Sequence, residues 1–446
     1  MVATLLPPGP RGHFFVGNIP EFIRDPLGFL SECARKYGDV VRMTFFKGEV
    51  YLCNNPEDIQ YILVNSNRSF TKGYGGGSMQ TLLGNGLLTS EGDFWRRQRR
   101  LAQPAFHRER VSSYGEVMVA YTQRMLASWR DGEMHDIHQD MMRLTLEIVA
   151  QTLFSTDIGG DAQEVGTALE AAMEQLSSQG SLLHALIPEN FPTPRHIRFH
   201  KAVEQLNEII YGIIRQHRAS GQDRGDLLSL LLDARDEDGS QMTDQQLRDE
   251  VMTLILAGHE TTALALSWTW YLLAQHPEAE AALLAELQTA LGGRAPTVAD
   301  LPSLQYTEAV IKEAMRLYPP AWTISRRAMH DCEIGGYSIP AGAELLLCQW
   351  VIQRDPRYYD NAEAFMPCRW QDEAIKRLPK YAYFPFGGGP RLCIGNSFAM
   401  MEAVLLLASM VQKFHCTLVP GYPVTPWPSI TLRPKHGIKM VTTPQG

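Results

Sequence analysis

No stretch of this 446-residue chain reaches the roughly 18 uninterrupted apolar residues that a membrane-spanning helix needs. No Cys-x-x-Cys pair occurs, and the seven cysteines (Cys33, Cys53, Cys332, Cys348, Cys368, Cys393 and Cys416) are odd in number. That usage argues against a disulfide framework or a structural zinc site and suits a reducing cytosol. There is no long basic tail; acids and bases are interspersed, and the net charge is −8. Nucleic acid is therefore not an expected partner. The start, Met1 to Leu6, lacks the basic residues and the apolar length of a signal peptide. Internal repeats and low-complexity tracts are absent too. The expectation is a soluble, cytoplasmic protein with no transmembrane anchor, either by nature or because an anchor has been removed.

What is present is apolar bulk, 45% of the residues, enough for a large core. Length alone suggests roughly three domains. The chemically distinctive segments, from Trp95 to Cys393, nevertheless make sense around a single centre, so one domain over 1–446 is expected. Pro7-Pro8-Gly9-Pro10 is a stiff lead-in. A helix is predicted over Pro26–Tyr37, then strands near Val40–Phe46 and Glu49–Cys53 joined across Lys47-Gly48. Gly73 to Gly86, rich in glycine and serine, reads as a mobile loop. From Gly92 the pattern is helical, with breaks at Gly159-Gly160, Pro188 to Pro194, Gly221 to Gly225, Gly239 and Gly292-Gly293. Strand-like pieces return at Cys332–Ile339 and Glu344–Leu347, and Pro420 to Pro434 reads as loop and edge strand. The fold class is mainly α with a small β-sheet region.

Phe386-Gly387-Gly388-Gly389-Pro390-Arg391-Leu392-Cys393-Ile394-Gly395 sets one cysteine among glycines, two residues after an arginine. An apolar helix, Asn396 to Lys413, follows it. Helix N-termini and nearby cations favour a thiolate over a thiol, and a thiolate with open backbone around it is a metal ligand. A buried structural cysteine is the alternative for any such residue taken alone.

A second constellation lies within a helix predicted over Asp244 to Ala274, apolar nearly all round and so buried. At its middle stands Ala257-Gly258-His259-Glu260-Thr261-Thr262. Burying an unpaired carboxylate costs several kcal/mol, so Glu260 conflicts with its surroundings, as functional residues often do. Gly258 lacks a side chain, which lets a flat group approach the helix backbone. The Thr261 hydroxyl can bond back to the Ala257 carbonyl and open the helix ladder to water. Glu260 can then feed protons from solvent. Read alone, a threonine pair satisfied by its own helix, with Glu260 on a wet face, explains the string equally well.

Two charged elements complete the inventory. Glu313 and Arg316 are spaced i, i+3 on one helix face, a pair worth a few tenths of a kcal/mol if exposed. Trp95-Arg96-Arg97-Gln98-Arg99-Arg100 is a basic run that would ordinarily be a solvated face.

Taken together these segments resemble the cytochrome P-450 superfamily. The cysteine segment is similar to its haem-binding loop, Phe-x-x-Gly-x-Arg-x-Cys-x-Gly, at every specified position. The Ala257–Thr262 string resembles its oxygen-activation motif, Ala/Gly-Gly-x-Asp/Glu-Thr-Thr/Ser. Glu313-Ala314-Met315-Arg316 looks like its Glu-x-x-Arg element, Phe365-Met366-Pro367-Cys368-Arg369 its Phe-x-Pro-x-Arg segment, and Trp95 to Arg99 its Trp-x-x-x-Arg element. The resemblance spans essentially the whole chain in the family's order. It implies a single-domain fold with haem b held between two long helices and its iron ligated by the Cys393 thiolate. It also implies that Phe386 and Gly395 lie around the sulfur. Trp95, Arg99, Arg391 and Arg326 would contact haem propionates, Arg326 less securely because Arg327 stands beside it. Glu313, Arg316 and Arg369 would form a structural network bracing the loop, and Glu260 with Thr261 would deliver protons to dioxygen. A substrate pocket would draw on Leu87, Leu183, Ala257, Trp322 and Ile430, which suits a hydrophobic small molecule.

The activity implied is insertion of one atom of dioxygen into such a substrate by a monomeric monooxygenase. Electrons would come from a ferredoxin or flavodoxin with its NAD(P)H-dependent reductase. Arg96, Arg97 and Arg100 could belong to the docking patch for that donor. Two rivals stand beside this reading: a peroxide-driven hydroxylase or oxygenated-lipid rearranging enzyme that needs no donor, and a non-enzymatic haem- or ligand-binding protein. The Glu260–Thr261 pair speaks against both, because neither needs a proton relay.

Overall fold

The computed structural model describes residues 6–46, 48–73, 77–156, 162–177, 193–235 and 239–445. The principal helices are α1 (Pro26–Tyr37), α2 (Gly77–Leu83), α3 (Gly92–Ala102), α4 (Ile137–Phe154), α5 (Ala162–Ser177), α6 (Pro194–Ser220), α7 (Leu227–Asp233), α8 (Asp244–Leu273), α9 (Pro277–Leu291), α10 (Gln305–Leu317) and α11 (Asn396–Val411). α8 starts at a reciprocal cap. The Gln246 N–H donates to the Thr243 hydroxyl (3.2 Å), and the Thr243 N–H donates to the Gln246 side chain (2.8 Å). Its turns from Leu247 to Leu273 are almost entirely buried, packed against α4, α6, α10 and α11. α11 is likewise buried nearly all round. Two helices apolar on every side must lie at the centre of the helical core, and they do.

The main sheet has the order β1–β2–β5–β4–β3, with β1 Val40–Phe45, β2 Gly48–Cys53, β3 Phe70–Thr71, β4 Ile324–Ala328 and β5 Glu344–Leu347. β2 and β5 are parallel, with Val50 opposite Glu344, and the other pairs are antiparallel. Alternation along β1 and β2 divides the apolar residues between two cores: Val40 and Tyr51 on one face, Val41 and Leu52 on the other. Near the C-terminus β6 (Pro426–Pro428) pairs with β7 (Leu432–Pro434), and Lys439–Pro444 pairs with Phe414–Leu418 and Met134–Asp136.

The predicted helix over Pro26–Tyr37 and strand over Glu344–Leu347 coincide with α1 and β5, and the long helix ends one residue early. The segment 73–86 differs from expectation: Gly77–Leu83 forms α2, whose Leu82 and Leu83 are fully buried, so hydrophobic anchoring outweighs its glycine and serine content. The last helix stops at Val411 rather than Lys413. The expected breaks at Gly159-Gly160 and over 188–192 lie outside the described residues.

Candidate active site

The cysteine loop is built by its glycines. Gly387 and Gly389 take left-handed backbone angles (φ 71° and 64°), and a side chain at Gly389 would sit 1.9 Å from the Leu63 carbonyl oxygen. The Gly387 N–H donates to the Phe384 carbonyl (2.9 Å) and the Cys393 N–H to the Phe386 carbonyl (3.0 Å), which closes the loop. Cys393 presents accessible surface, yet its thiol is ringed by protein. That enclosure pushes the thiol pKa up, while the Gly395 N–H at the start of α11 and the Arg99 charge pull it down. The helix N-terminus and the cation thus act as expected, but for a free thiol burial wins.

Cations converge beside this loop. The Arg391 guanidinium stacks on the Trp95 ring, 3.8 Å from its centre, donates to the Ser90 carbonyl (2.9 Å) and pairs with Glu91. The Arg99 Nη1 donates to the Leu392 carbonyl (2.7 Å), joining α3 to the loop. Arg326 is buried on β4, on the side of Arg391 and Lys72, whereas Arg327 is exposed. Lys72, unremarkable in the sequence, completes the group; its Nζ donates to the Leu87 carbonyl (3.0 Å). Burial lowers the Lys72 pKa to about 7, helped by Arg391 and Arg326 and opposed by Glu91 and Glu250. Burial likewise brings Arg391 down to about 10, with Arg326 and Arg99 adding to it and Glu91 opposing. Lys72 and Arg391 lie by the Glu91 carboxylate and are repelled by Arg326, and Arg391 by Arg99 as well; cations in this excess over that acid suit a dianionic group. Among the described residues no cluster of three His, Cys, Asp or Glu could hold a metal. A lone thiol with cations beside it therefore suits a metal whose other ligands come from its own macrocycle, so the donor set fits haem.

On α8 the burial is interrupted in one stripe: Ala257 is exposed, and Gly258 and Thr261 are half-buried. These positions share a helix face. The Thr261 hydroxyl donates to the Ala257 carbonyl (2.8 Å), as expected, although the helix continues unbroken through it.

Glu260 is not on a wet face. It is buried, and its Oε1 accepts from the Thr431 hydroxyl (2.5 Å) and from Arg433 Nε (2.7 Å). Arg433 also lines a cleft with Glu170, Glu174 and Trp427, so the carboxylate meets the outside through a cation. At Gly258 the side chain it lacks would point at Val149 of α4, 3.1 Å from its Cγ2, so glycine here also allows close packing of two helices.

The charged network is fully assembled. Glu313 accepts from Arg316 Nε (2.9 Å) and Nη2 (2.8 Å), from Arg369 Nε (2.9 Å), from the Met366 N–H (3.0 Å) and from Trp370 Nε1 (2.8 Å). Burial alone would raise the Glu313 pKa, but the Arg316 and Arg369 contacts outweigh it and hold it low. Trp370 was missed by sequence reasoning, although it directly follows Arg369. Arg316 Nη1 donates to the Gln353 carbonyl (2.9 Å), and the Gln353 side-chain oxygen accepts from the Phe384 N–H (3.2 Å). Phe384 stands two residues before Phe386, which gives the network a physical link to the loop.

Of the pocket residues, Ala257 and Ile430 retain surface. Trp322 is buried under the sheet among Leu27, Val41 and Leu432, with Nε1 donating to the Ser429 carbonyl (2.7 Å). Leu87 is buried too, its N–H held by Glu250 (3.0 Å). Leu183 lies outside the described residues.

The Cytochrome P450 family model matches residues 7–440. Cyclooctatin synthase of Streptomyces melanosporofaciens is 40% identical over 430 residues, covering 95% of this chain and 92% of that protein. Cyclooctat-9-en-7-ol 5-monooxygenase of the same organism is 37% identical over 411 residues, covering 91% of this chain and 88% of that protein. The crystal structure of the cytochrome P450DA heme domain superposes with a TM-score of 0.90 at 27% identity, covering 99% of this chain and 98% of that chain. With one family model spanning nearly its full length, the chain belongs to the cytochrome P450 family, haem-thiolate monooxygenases in which a cysteine ligates the haem iron.

Proposed function

We propose that Cys393 is the iron ligand and that Arg391, Arg99, Arg326 and Lys72 receive the haem propionates, with Trp95 holding Arg391 in place. The observation that carries this reading is a chain of cations, Lys72 and Arg391 each repelled by Arg326 and Arg391 also by Arg99, that ends with Arg99 beside a thiol that is enclosed yet accessible. Haem bound there supplies the activation of dioxygen and its insertion into substrate. The chain's own residues do the rest. The Ala257–Thr261 stripe would face the bound group, and the Thr261 hydroxyl, which donates to the Ala257 carbonyl, can turn that hydrogen bond to a solvent molecule instead. Glu260, its carboxylate held by Arg433 and Thr431, relays the replacement proton by taking one up from solvent at the cleft that Arg433 lines and releasing it towards Thr261, and Arg316 with Glu313 braces the loop through Gln353.

The names of these relatives point to carbocyclic alkenols and their products, and the hydrophobic lining of Ala257 and Ile430 is compatible with such molecules. We therefore assign the substrate to the terpenoid class, hydroxylated or epoxidised at one carbon. Electrons come from a ferredoxin or flavodoxin that docks near Arg96 and Arg100, both exposed on α3. The enzyme acts as a cytoplasmic monomer; its seven cysteines are all free, in keeping with a reducing compartment.

The test is spectroscopic. Reduced protein with carbon monoxide should show the strongly red-shifted Soret band of a thiolate ligand, and Cys393→Ser should lose it. An imidazole-type band in the wild type would reject Cys393.

A further inference from the structure

Glu402 lies on α11, nine residues after Cys393, and is wholly buried. Among the described residues neither of its carboxyl oxygens has a hydrogen-bond partner of good geometry. The polar group close to it is the hydroxyl of Thr262 on α8, also buried and also without such a partner.

Thr262 differs from the other hydroxyl residues of its helix. Thr253, Thr261, Ser267 and Thr269 each donate to the carbonyl four residues earlier, at 2.7, 2.8, 2.6 and 2.7 Å. Thr262 makes no such bond, so its hydroxyl remains available to another helix. Burial pushes the Glu402 carboxyl up to about 8, the Thr262 hydroxyl opposes it, and among the described residues no charged group from α8, α10 or any other packed element contributes. An unpaired carboxylate at such a place would be far costlier than the acid. A neutral acid brings the donor that Thr262 can accept.

We propose that Glu402 is a neutral carboxylic acid hydrogen-bonded to Thr262, and that this bond is the tie that registers the Cys393 helix against the threonine pair of α8. Glu402 is then a positioning residue. It acts through Thr262, which adjoins Thr261 in the chain, and so fixes where the Thr261 hydroxyl stands relative to the cysteine loop. The inference rests on the reading of Cys393 and Thr261 given above. Its main tests do not depend on turnover, so it can fail while that reading stands.

The infrared spectrum of the wild type near pH 7 should contain a protonated-carboxyl stretch that disappears in Glu402→Gln and shifts in Thr262→Val. Melting gives a second measure. Between the ordinary carboxylate value of 4.5 and about 8 the folded acid holds a proton that the unfolded chain releases. Stability of the wild type relative to Glu402→Gln should therefore decline as pH rises through that window and level off above it. In turnover, Glu402→Gln should keep the wild-type yield of product per NAD(P)H, while Glu402→Leu, which cannot hydrogen-bond, should lower it several-fold. An absent carboxyl stretch, a pH-independent melting difference, or unchanged yield in Glu402→Leu would each overturn the proposal.

Discussion

Glu260 and Arg433 meet across 173 positions of chain: Arg433 Nε donates to Glu260 Oε1 at 2.7 Å, and Nη2 lies 2.6 Å from the same oxygen. Both side chains are buried, so the pair joins the middle of α8 to β7 through a medium that screens charge poorly. An acid in the middle of an apolar helix is tolerable because a cation reaches it from a distant strand.

Removing one partner should therefore be worse than removing both. Arg433→Leu leaves a buried carboxylate uncompensated, at a cost of about 3–5 kcal/mol. Adding Glu260→Gln should recover much of that loss. Denaturation of the two single variants and the double variant measures the coupling; simple additivity would mean that the pair contributes nothing.

Thr261→Ala removes the hydroxyl on the half-buried stripe of α8 while leaving Arg391, Arg99 and Cys393 untouched. Haem content and substrate-induced spectral shifts should match the wild type. Product per NAD(P)H should fall, the reductant going to hydrogen peroxide or water. Equal yields in both proteins would remove Thr261 from proton delivery.

The regular frame was legible because its signals are local. Pro26 opens α1, Thr243 caps α8, and the apolar periodicity of the long helices needs no distant information. The cysteine loop was legible for the same reason, since its glycines lie within seven positions of the thiol. What escaped depends on non-local packing. Nothing around Arg433 announces Glu260, and nothing around Lys72 announces Arg391. Gly258 was noticed for the right property, its missing side chain, but only the path of α4 shows that Val149 occupies that side. Trp322 reads as pocket-like by type, while its indole N–H is committed to Ser429.

The Glu313 network makes a stability prediction. Arg316→Ala would strip a fully buried carboxylate of its two-pronged partner, leaving Arg369 as its cationic partner, and free the carbonyls of Gln353, Ala362 and Ala364 that Arg316 satisfies. A loss of about 3–5 kcal/mol is expected, together with poor haem loading through the Gln353–Phe384 link. Normal haem content and melting in this variant would show that the network is not a brace.

Gly258 separates two readings by a second-site test. A methyl group there meets Val149 Cγ2 at 3.1 Å, so Gly258→Ala should cost about 1–3 kcal/mol by overpacking. Val149→Ala in the same chain should relieve it, so that the double variant is more stable than the two separate losses predict. Failure of Val149→Ala to restore haem loading would mean that the added methyl obstructs the cofactor instead.

Lys72 sets a pH dependence for haem uptake. Burial first, then Arg391 and Arg326, bring its pKa to about 7, whereas an ordinary lysine stands at 10.5. A propionate placed beside it would favour the ammonium form and raise that pKa. Haem binding near pH 7 to 8 should then take up a proton. The sign follows from linkage: affinity is greatest where Lys72 is already charged, below about 7. It declines as pH rises, by at most about tenfold per pH unit for one proton, until the raised pKa of the complex is passed. Titrating apoprotein with haem between pH 6 and pH 9, with proton uptake recorded alongside, tests this, and Lys72→Met should flatten the profile. A wild-type profile as flat as that of Lys72→Met would mean that Lys72 serves only the Leu87 and Leu88 carbonyls, as a structural pin for the segment before α3.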